Sequence, residues 1–420
     1  MKIIYLVMCI IIIILLASRK FNFLTLGCGS FILYTSFCLV GEVSILGGRT
    51  GVYYFSNVSA KTYVLIIAQL ATMIIVLLCS NKFTLVFSHN KTRDYLLQNT
   101  EENRENEDDI EWFWTLMLFF CSFCIFYTVV IEVGIGNFFS YIRKQEIQSQ
   151  MGYLYSPGVW GSIICFTHYI QRNNKSKTVI ALLLLLITVI HGGRAYFTTA
   201  LIAFFIVKSK DAMNIIKSNV KLIAVGGISL SLLLIYKNIY RAVRALDWGM
   251  VISILKDPAI YEDLFEITEF KINLSIYNYI VDSGFTIPFK DTVARLVSVI
   301  PFASDLVSKS LPIRTSQIIQ NTFFHSSYGL ANSFWAELYA MGGVVFLLLG
   351  TAIWMIILNK SSRKLLFNKK VSPFLLTIII YCSFYIHRLD FVQVSGCIKS
   401  VGEFYVLWLI CRHIKMPHRR

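Results

Sequence analysis

Ionisable residues gather beside the long apolar segments of this 420-residue chain, and arginine is prominent among them. Keeping such a group at membrane depth costs about 2.5–3.5 kcal/mol on insertion scales. Arginine stays charged and presents a planar fork of donors, which suits the oxygens of a diphosphate and stabilises it as a leaving group. The residues concerned are Glu42, Arg49, Glu132, Arg143, His191, Arg194, Arg241, Arg244, Arg314, His325, Glu337, Arg388, Asp390 and Glu403.

For any one of these arginines, the alternative is a side chain that reaches the membrane surface or forms an internal ion pair. For Arg49 and Arg143 this alternative has at least the same weight as a role in ligand binding. Arg194 differs, because it directly follows His191, Gly192 and Gly193 and enters an apolar segment. We therefore predict a ligand-binding role for Arg194.

Two residues are candidates for a general base that accepts a proton from a hydroxyl group of a substrate. His325 precedes a long apolar segment, and a neutral imidazole with a pKa near 6.5 can act as a general base. Glu337 could also act as the general base, or it could orient the molecule that carries the hydroxyl. A structural role is the alternative for each of them.

Composition argues against metal and nucleic-acid chemistry. The loop at 47–61 contains no Asp or Glu, so the sequence predicts neither a metal nor a cofactor. The net charge of +15 comes from basic residues scattered between apolar segments, which is typical of a membrane protein rather than of a nucleic-acid-binding protein.

The elements that position these residues are membrane helices. Hydrophobic residues make up 56% of the chain and charged residues 15%, against about 25% charged in soluble domains. Runs of about 20 apolar residues span a bilayer as helices. The sequence predicts eleven spans, with ten to twelve possible, near 3–17, 22–46, 62–79, 112–134, 156–170, 178–191, 195–207, 220–236, 334–358, 373–386 and 398–411.

The distribution of Lys and Arg predicts that the N-terminus is outside, because the loops then facing the cytoplasm hold most of the basic residues. Basic residues on both flanks of 178–207 require two crossings there, with Gly192 and Gly193 at the turn. The predicted organisation is eight spans over 1–236 with a polar cytoplasmic loop at 80–111, a large outer loop at 237–333, and three spans with a basic cytoplasmic tail over 334–420.

The outer loop contains an amphipathic helix. Apolar residues repeat at helical spacing from Ile260 to Val281, beside a polar stripe that includes Glu262, Glu266, Glu269 and Asn273. We expect this helix to lie on the membrane surface or over the helix bundle. The loop is then a lid or substrate cover, or alternatively a structural cap.

Three segments resemble the O-antigen polymerases, which polymerise oligosaccharide repeat units of bacterial surface polysaccharides. HGGRAY at 191–196 is similar to the short Arg-containing signature at the top of a mid-chain span in that family. ANSFWAELYAMGG at 331–343 resembles its late span, and RLVSVIP at 295–301 a stretch of its outer loop. The span pattern and the large outer loop also fit.

The resemblance implies a GT-C-like, metal-independent, inverting glycosyltransferase in the bacterial inner membrane, with its active site facing the periplasm. It would transfer the growing glycan from undecaprenyl diphosphate to a hydroxyl of a new lipid-linked repeat unit, and a chain-length regulator protein is a possible partner. His325 or Glu337 would assist the hydroxyl, and His191, Arg388 and Asp390 are secondary candidates. The residues implied to grip the diphosphate are Arg194, Arg241, Arg244, Arg295 and Arg314.

Two other functions remain open. An O-antigen ligase would transfer glycan to the lipid A core, and the histidine of that family corresponds in position to His325 although the surrounding residues differ. A flippase would move the lipid-linked oligosaccharide across the membrane. Flippases generally have more spans, short outer loops and internal repeats, so the long outer loop disfavours that function.

Overall fold

The computed structural model describes residues 1–17, 22–46, 52–86, 110–209, 235–236, 238–258, 268–300, 314–324, 332–367 and 371–413. Most of these residues are helical, as predicted. The elements of the first half are α1 (Lys2–Ala17), α2 (Phe23–Thr35), β1 (Glu42–Leu46), β2 (Val52–Asn57), α3 (Ala60–Val86), α4 (Glu111–Tyr127), α5 (Ile135–Phe138), α6 (Lys144–Gln150), α7 (Tyr155–Gln171), α8 (Lys175–Ile190) and α9 (Arg194–Ser209).

The second half contains the described part of the outer loop and the last long helices. Residues 238–244 are helical and precede α10. The remaining elements are α10 (Trp248–Lys256), α11 (Glu269–Ser283), α12 (Phe289–Ser298), α13 (Thr315–Ile319), α14 (Phe334–Phe367), α15 (Pro373–Tyr385), a short 3-10 helix (Ile386–Arg388) and α16 (Phe391–His413).

Long apolar helices indicate a membrane protein. Within the described residues, four helical segments are long and apolar enough to cross a bilayer, at Ala60–Cys79, Glu111–Glu132, Phe334–Leu365 and Phe391–His413. Lys2–Ala17, Phe23–Cys38 and Pro373–Arg388 are shorter apolar helices. The predicted span at 220–236 falls almost wholly outside the described residues, so the number of spans stays a prediction.

A β-hairpin replaces the end of the predicted second span. β1 pairs antiparallel with β2, with Glu42 opposite Asn57. The helical part of this span ends at Cys38, and Gly41 adopts a left-handed backbone conformation with φ of 86°. Extending the span to residue 46 was therefore wrong, because the short apolar run there forms a strand whose Val43 and Ile45 are buried. The fold is mostly rather than wholly α-helical.

The outer-loop helix packs into the bundle. α11 contacts β1, α2, α3 and α14, and its residues from Ile272 to Asn278 are all buried. Tyr277 Oη donates to Gln69 Oε1 at 2.9 Å. Of the two positions expected for this helix, on the membrane surface or over the bundle, these contacts favour the second. Its predicted N-terminal part at 260–267 lies outside the described residues.

Two glycine pairs interrupt the helices. The first pair lies at the predicted turn between two spans, and the second pair lies at the end of the 331–343 motif. α8 ends at Ile190 and α9 begins at Arg194, with Gly192 at φ of 96°, which confirms the predicted hairpin. Gly342 and Gly343 break α14 after its first two turns, and Gly343 has φ of 63°. The break separates the segment carrying Glu337 from the long apolar part of α14.

The helices alternate in direction, which gives the bundle two distinct ends. Lys2 Nζ donates to Val40 O at 2.5 Å, so α1 begins where α2 ends. Leu24 N donates to Ser362 Oγ at 3.0 Å, so α2 begins where α14 ends. The start of α9 and the 3-10 helix after α15 lie at the end of the bundle where α1 begins and α2 ends. The opposite end holds Arg172, Lys175, Lys177, Lys208, Lys360, Arg363, Lys364 and Arg412.

Candidate functional site

Glu269 brings together two arginines from distant parts of the chain. Its Oε1 accepts a hydrogen bond from Arg194 Nη2 at 3.0 Å, and its Oε2 accepts one from Arg388 Nη1. The exposed fractions of the side chains are 23% for Glu269, 19% for Arg194 and 29% for Arg388. We call Arg194, Glu269 and Arg388 the open cluster. Two partly exposed arginines thus meet at one carboxylate, and their planar donor forks suit an anionic ligand as well.

Lys144 borders the open cluster at the start of α6. Its Nζ donates to Gly192 O at 3.0 Å. Burial, followed by the positive charges of Arg388 and Arg194, lowers the pKa of Lys144 to about 8, while Glu269 opposes the shift. Lys144 therefore stays largely protonated at neutral pH and adds a third cation at this end of the bundle.

Aromatic side chains enclose the open cluster. Tyr34 is buried and packs edge-to-face on Phe270, with ring centroids 4.8 Å apart. Arg388 lies over the ring of Tyr385, with its guanidinium carbon 5.8 Å from the centroid. Such walls lower the local dielectric and strengthen the attraction between the arginines and an anion.

His191 lies in the turn before Arg194 and is buried. Its Nε2 is 2.5 Å from Tyr155 Oη. Burial, followed by the charge of Lys144, lowers the pKa of His191 to about 3. The imidazole is therefore neutral at pH 7, and it anchors the 191–193 turn to the start of α7.

Arg295 and Glu337 form a second, buried ion pair, with Nη1 and Oε1 2.7 Å apart and both side chains at most 2% exposed. Thr315 Oγ1 also donates to Glu337 Oε1, at 2.8 Å. The other oxygen accepts from Phe391 N at 2.7 Å and from Asn332 Nδ2 at 3.4 Å. We call Arg295, Thr315, Asn332, Glu337 and the Phe391 amide the sealed cluster. It joins α12, α13, α14 and α16.

Asp390 adjoins the sealed cluster. Its Oδ1 accepts from Gln393 N at 2.8 Å, which caps the start of α16, and its Oδ2 accepts from Ser316 Oγ at 3.2 Å. Arg314 is exposed and precedes α13. Asp390 and Arg314 therefore border the elements that the sealed cluster joins.

The remaining predicted residues lie elsewhere. Arg244 is fully buried and donates to the carbonyl oxygens of Ser140, at 2.8 Å, and of Ile142. Arg241 is exposed one helical turn before Arg244. His325 lies outside the described residues. Of the predicted diphosphate-binding arginines, Arg194 is the one with a described contact in the open cluster, where it meets the secondary candidate Arg388.

Sequence reasoning missed Glu269 and Lys144 as site residues. Glu269 belongs to the predicted polar stripe, and its neighbour in that stripe, Asn273, donates to the carbonyl oxygens of Asn332 and His387. The stripe thus marked the helix face that turns toward the bundle. Nothing in the local sequence distinguishes Lys144 from the exposed Arg143 beside it.

A separate cavity of about 140 Å³ lies at the opposite end of the helices. Trp114, His168, Pro373 and Trp408 are among its lining residues. His168 stacks on Trp114, with centroids 3.9 Å apart. The cavity includes no residue of the open cluster, so it bears on a different part of the molecule.

Neither metal ligands nor relatives identify the site. Within the described ranges, His, Cys, Asp and Glu form no group of three or more that could hold a metal ion. Comparison with known proteins finds no matching family model, curated protein or solved structure.

Proposed function

We propose that this chain is a membrane glycosyltransferase of the O-antigen polymerase type, with a GT-C-like bundle of about eleven spans. The observation that supports this proposal most is the open cluster, because it joins two arginines around one carboxylate at the start of the outer-loop helix. Paired, partly exposed arginines suit a diphosphate, whose oxygens accept bidentate hydrogen bonds. Arg194 also lies in the segment that resembles the polymerase signature.

In the proposed reaction, a hydroxyl oxygen of the incoming repeat unit attacks the anomeric carbon of the growing glycan. The bond from that carbon to the diphosphate oxygen breaks, and undecaprenyl diphosphate leaves with the electron pair. Arg194 and Arg388 neutralise the charge that develops on the leaving group. Attack from the opposite face gives inversion, and no metal is required in this scheme.

The proton of the attacking hydroxyl must pass to a base. Glu337 is fully buried, and both of its oxygens accept hydrogen bonds within the sealed cluster. We therefore propose that Glu337 positions the outer loop and that His325 is the better of the two candidates for the base.

We propose that the open cluster faces the periplasm of a bacterial inner membrane. The supporting observation is the set of Lys and Arg residues at the opposite end of the bundle, since basic residues favour the cytoplasmic side. Reporter fusions after Gln150 and after Lys208 test this orientation. The first should report a periplasmic position and the second a cytoplasmic one; the reverse pattern would contradict the proposal.

The function is tested by deleting the gene and resolving the surface lipopolysaccharide on a gel. A polymerase defect leaves the core with a single repeat unit, whereas a ligase defect leaves lipid-linked polymer and a bare core. Loss of repeat units from the outer leaflet would identify a flippase instead. Complementation with Arg194→Ala or Arg388→Ala should fail to restore the ladder, and Arg412→Ala, at an exposed position of the opposite end, should restore it.

A further inference from the structure

Lys144 lies beside the turn that leads into Arg194 of the open cluster. The amine donates to Gly192 O, two residues before Arg194. The charged groups that act on it come from three other elements: Arg194 from α9, Glu269 from α11 and Arg388 from the 3-10 helix after α15. The contact with Gly192 places the Lys144 amine beside the turn that leads into Arg194, within the electrostatic range of all three side chains of the open cluster.

Two features of the fold hold Lys144 in this position. Arg244 binds the carbonyl oxygens of Ser140 and Ile142, which fixes the chain immediately before Lys144. Gly192 lets the lysine stem pass, because a Cβ at this position would lie 3.3 Å from Lys144 Cδ and φ is 96°. A flexible surface lysine would need neither the buried Arg244 nor a glycine in a left-handed backbone conformation at position 192.

We propose that Lys144 is a third diphosphate-binding cation, which contacts the phosphate oxygens together with Arg194 and Arg388. This inference rests on the proposed function, since it assigns a role within the same site. Glu269 accepts from both arginines, whereas the described contact of Lys144 Nζ is to the neutral carbonyl oxygen of Gly192. A diphosphate bound to a lipid and a sugar carries two negative charges, and a cation beside the two arginines adds to its attraction.

The proposal predicts a dependence on pH that an arginine at this position would abolish. Burial and the neighbouring arginines lower the pKa of Lys144 to about 8, so the amine loses its proton as the pH rises from 7 to 9. An arginine keeps its charge over this range. His191 stays neutral throughout, because its pKa is lowered to about 3.

The test is binding of inorganic pyrophosphate to the purified full-length chain in nanodiscs, measured by calorimetry. Lys144→Met should weaken binding about tenfold at pH 7. Arg143→Met is the matched control, since Arg143 is the exposed neighbour of Lys144, and it should bind within about twofold of the wild type. Equal binding by Lys144→Met and the wild type would overturn the proposal.

Lys144→Arg separates ligand binding from a purely structural contact with Gly192. Because pyrophosphate itself titrates, the compared quantity is the ratio of the wild-type to the Lys144→Arg dissociation constant at each pH. This ratio should rise about fivefold or more between pH 7 and 9, and a constant ratio would contradict the proposal even if Lys144→Met failed to fold. If the wild-type protein binds no pyrophosphate, the proposed diphosphate site is overturned together with this inference. If the wild type binds pyrophosphate and Lys144→Met binds it equally well, this inference alone is overturned.

Discussion

The open and sealed clusters use the same two residue types in opposite ways. In the sealed cluster, Arg295 and Glu337 are desolvated and held by neighbours from several helices. In the open cluster, Glu269 faces two arginines, and each of the three side chains keeps about a fifth or more of its surface exposed. Burial among elements of the outer loop and the bundle suits the Arg295–Glu337 pair to a structural role, whereas partial exposure leaves the side chains of the open cluster accessible to a ligand.

The largest expected effect concerns the stability of the sealed cluster. Glu337→Ala leaves the buried guanidinium of Arg295 without its carboxylate and should lower the free energy of unfolding by about 3–5 kcal/mol. Thermal unfolding of the detergent-solubilised protein measures the change. Glu146→Ala, at an exposed position of α6, is the control and should have little effect.

Catalysis should instead depend on the open cluster. Arg194→Ala should reduce turnover about 10²–10³-fold, which corresponds to about 2.7–4 kcal/mol of transition-state stabilisation. The unfolding temperature should change little, because a partly exposed ion pair contributes about 1 kcal/mol or less. An assay that extends a lipid-linked repeat unit measures turnover; loss of folded protein in parallel with activity would make Arg194 structural, like Arg295.

Glu269 should compete with the ligand for the arginines. Glu269→Gln removes the negative charge but keeps the shape, so pyrophosphate should bind about tenfold more tightly. Calorimetry on the two proteins at pH 7 measures the difference. Weaker binding by the variant would mean that the carboxylate mainly orients Arg194 and Arg388.

The smallest effect is a pH dependence at the edge of the open cluster. Burial lowers the pKa of His191 from its ordinary value of 6.5 to about 3, so the unfolded chain binds a proton that the folded chain excludes. Stability should fall as the pH drops below 6.5, by about 1.4 kcal/mol at pH 5.5. Unfolding at pH 7.5 and 5.5 should show this loss in the wild type, and a smaller loss in His191→Gln.

Local signals in the sequence predicted part of this arrangement. Apolar runs predicted the helices, and the glycine pair with basic flanks predicted the turn that places Arg194 at the start of α9. These features depend on residues close together in the chain. The polar stripe of the outer-loop helix likewise predicted the face on which Glu269 lies.

The partners of these residues could not be predicted in the same way. Glu269 meets Arg388 across 119 residues, and Arg295 meets Glu337 across 42. A contact at such separation depends on how the helices pack, so the residues around each predicted arginine do not reveal its partner. Arg244 illustrates the difficulty, because its fully buried guanidinium binds backbone carbonyl oxygens of a segment about a hundred residues earlier.

The most direct test of the open cluster as the diphosphate site is binding of a short-chain isoprenyl diphosphate to the full-length chain in nanodiscs. The wild type should bind it, and Arg194→Ala combined with Arg388→Ala should weaken binding by about a hundredfold or more. Arg412→Ala, at an exposed position of the opposite end, should bind like the wild type. Unchanged affinity in the double variant, with normal folding, would contradict the assignment.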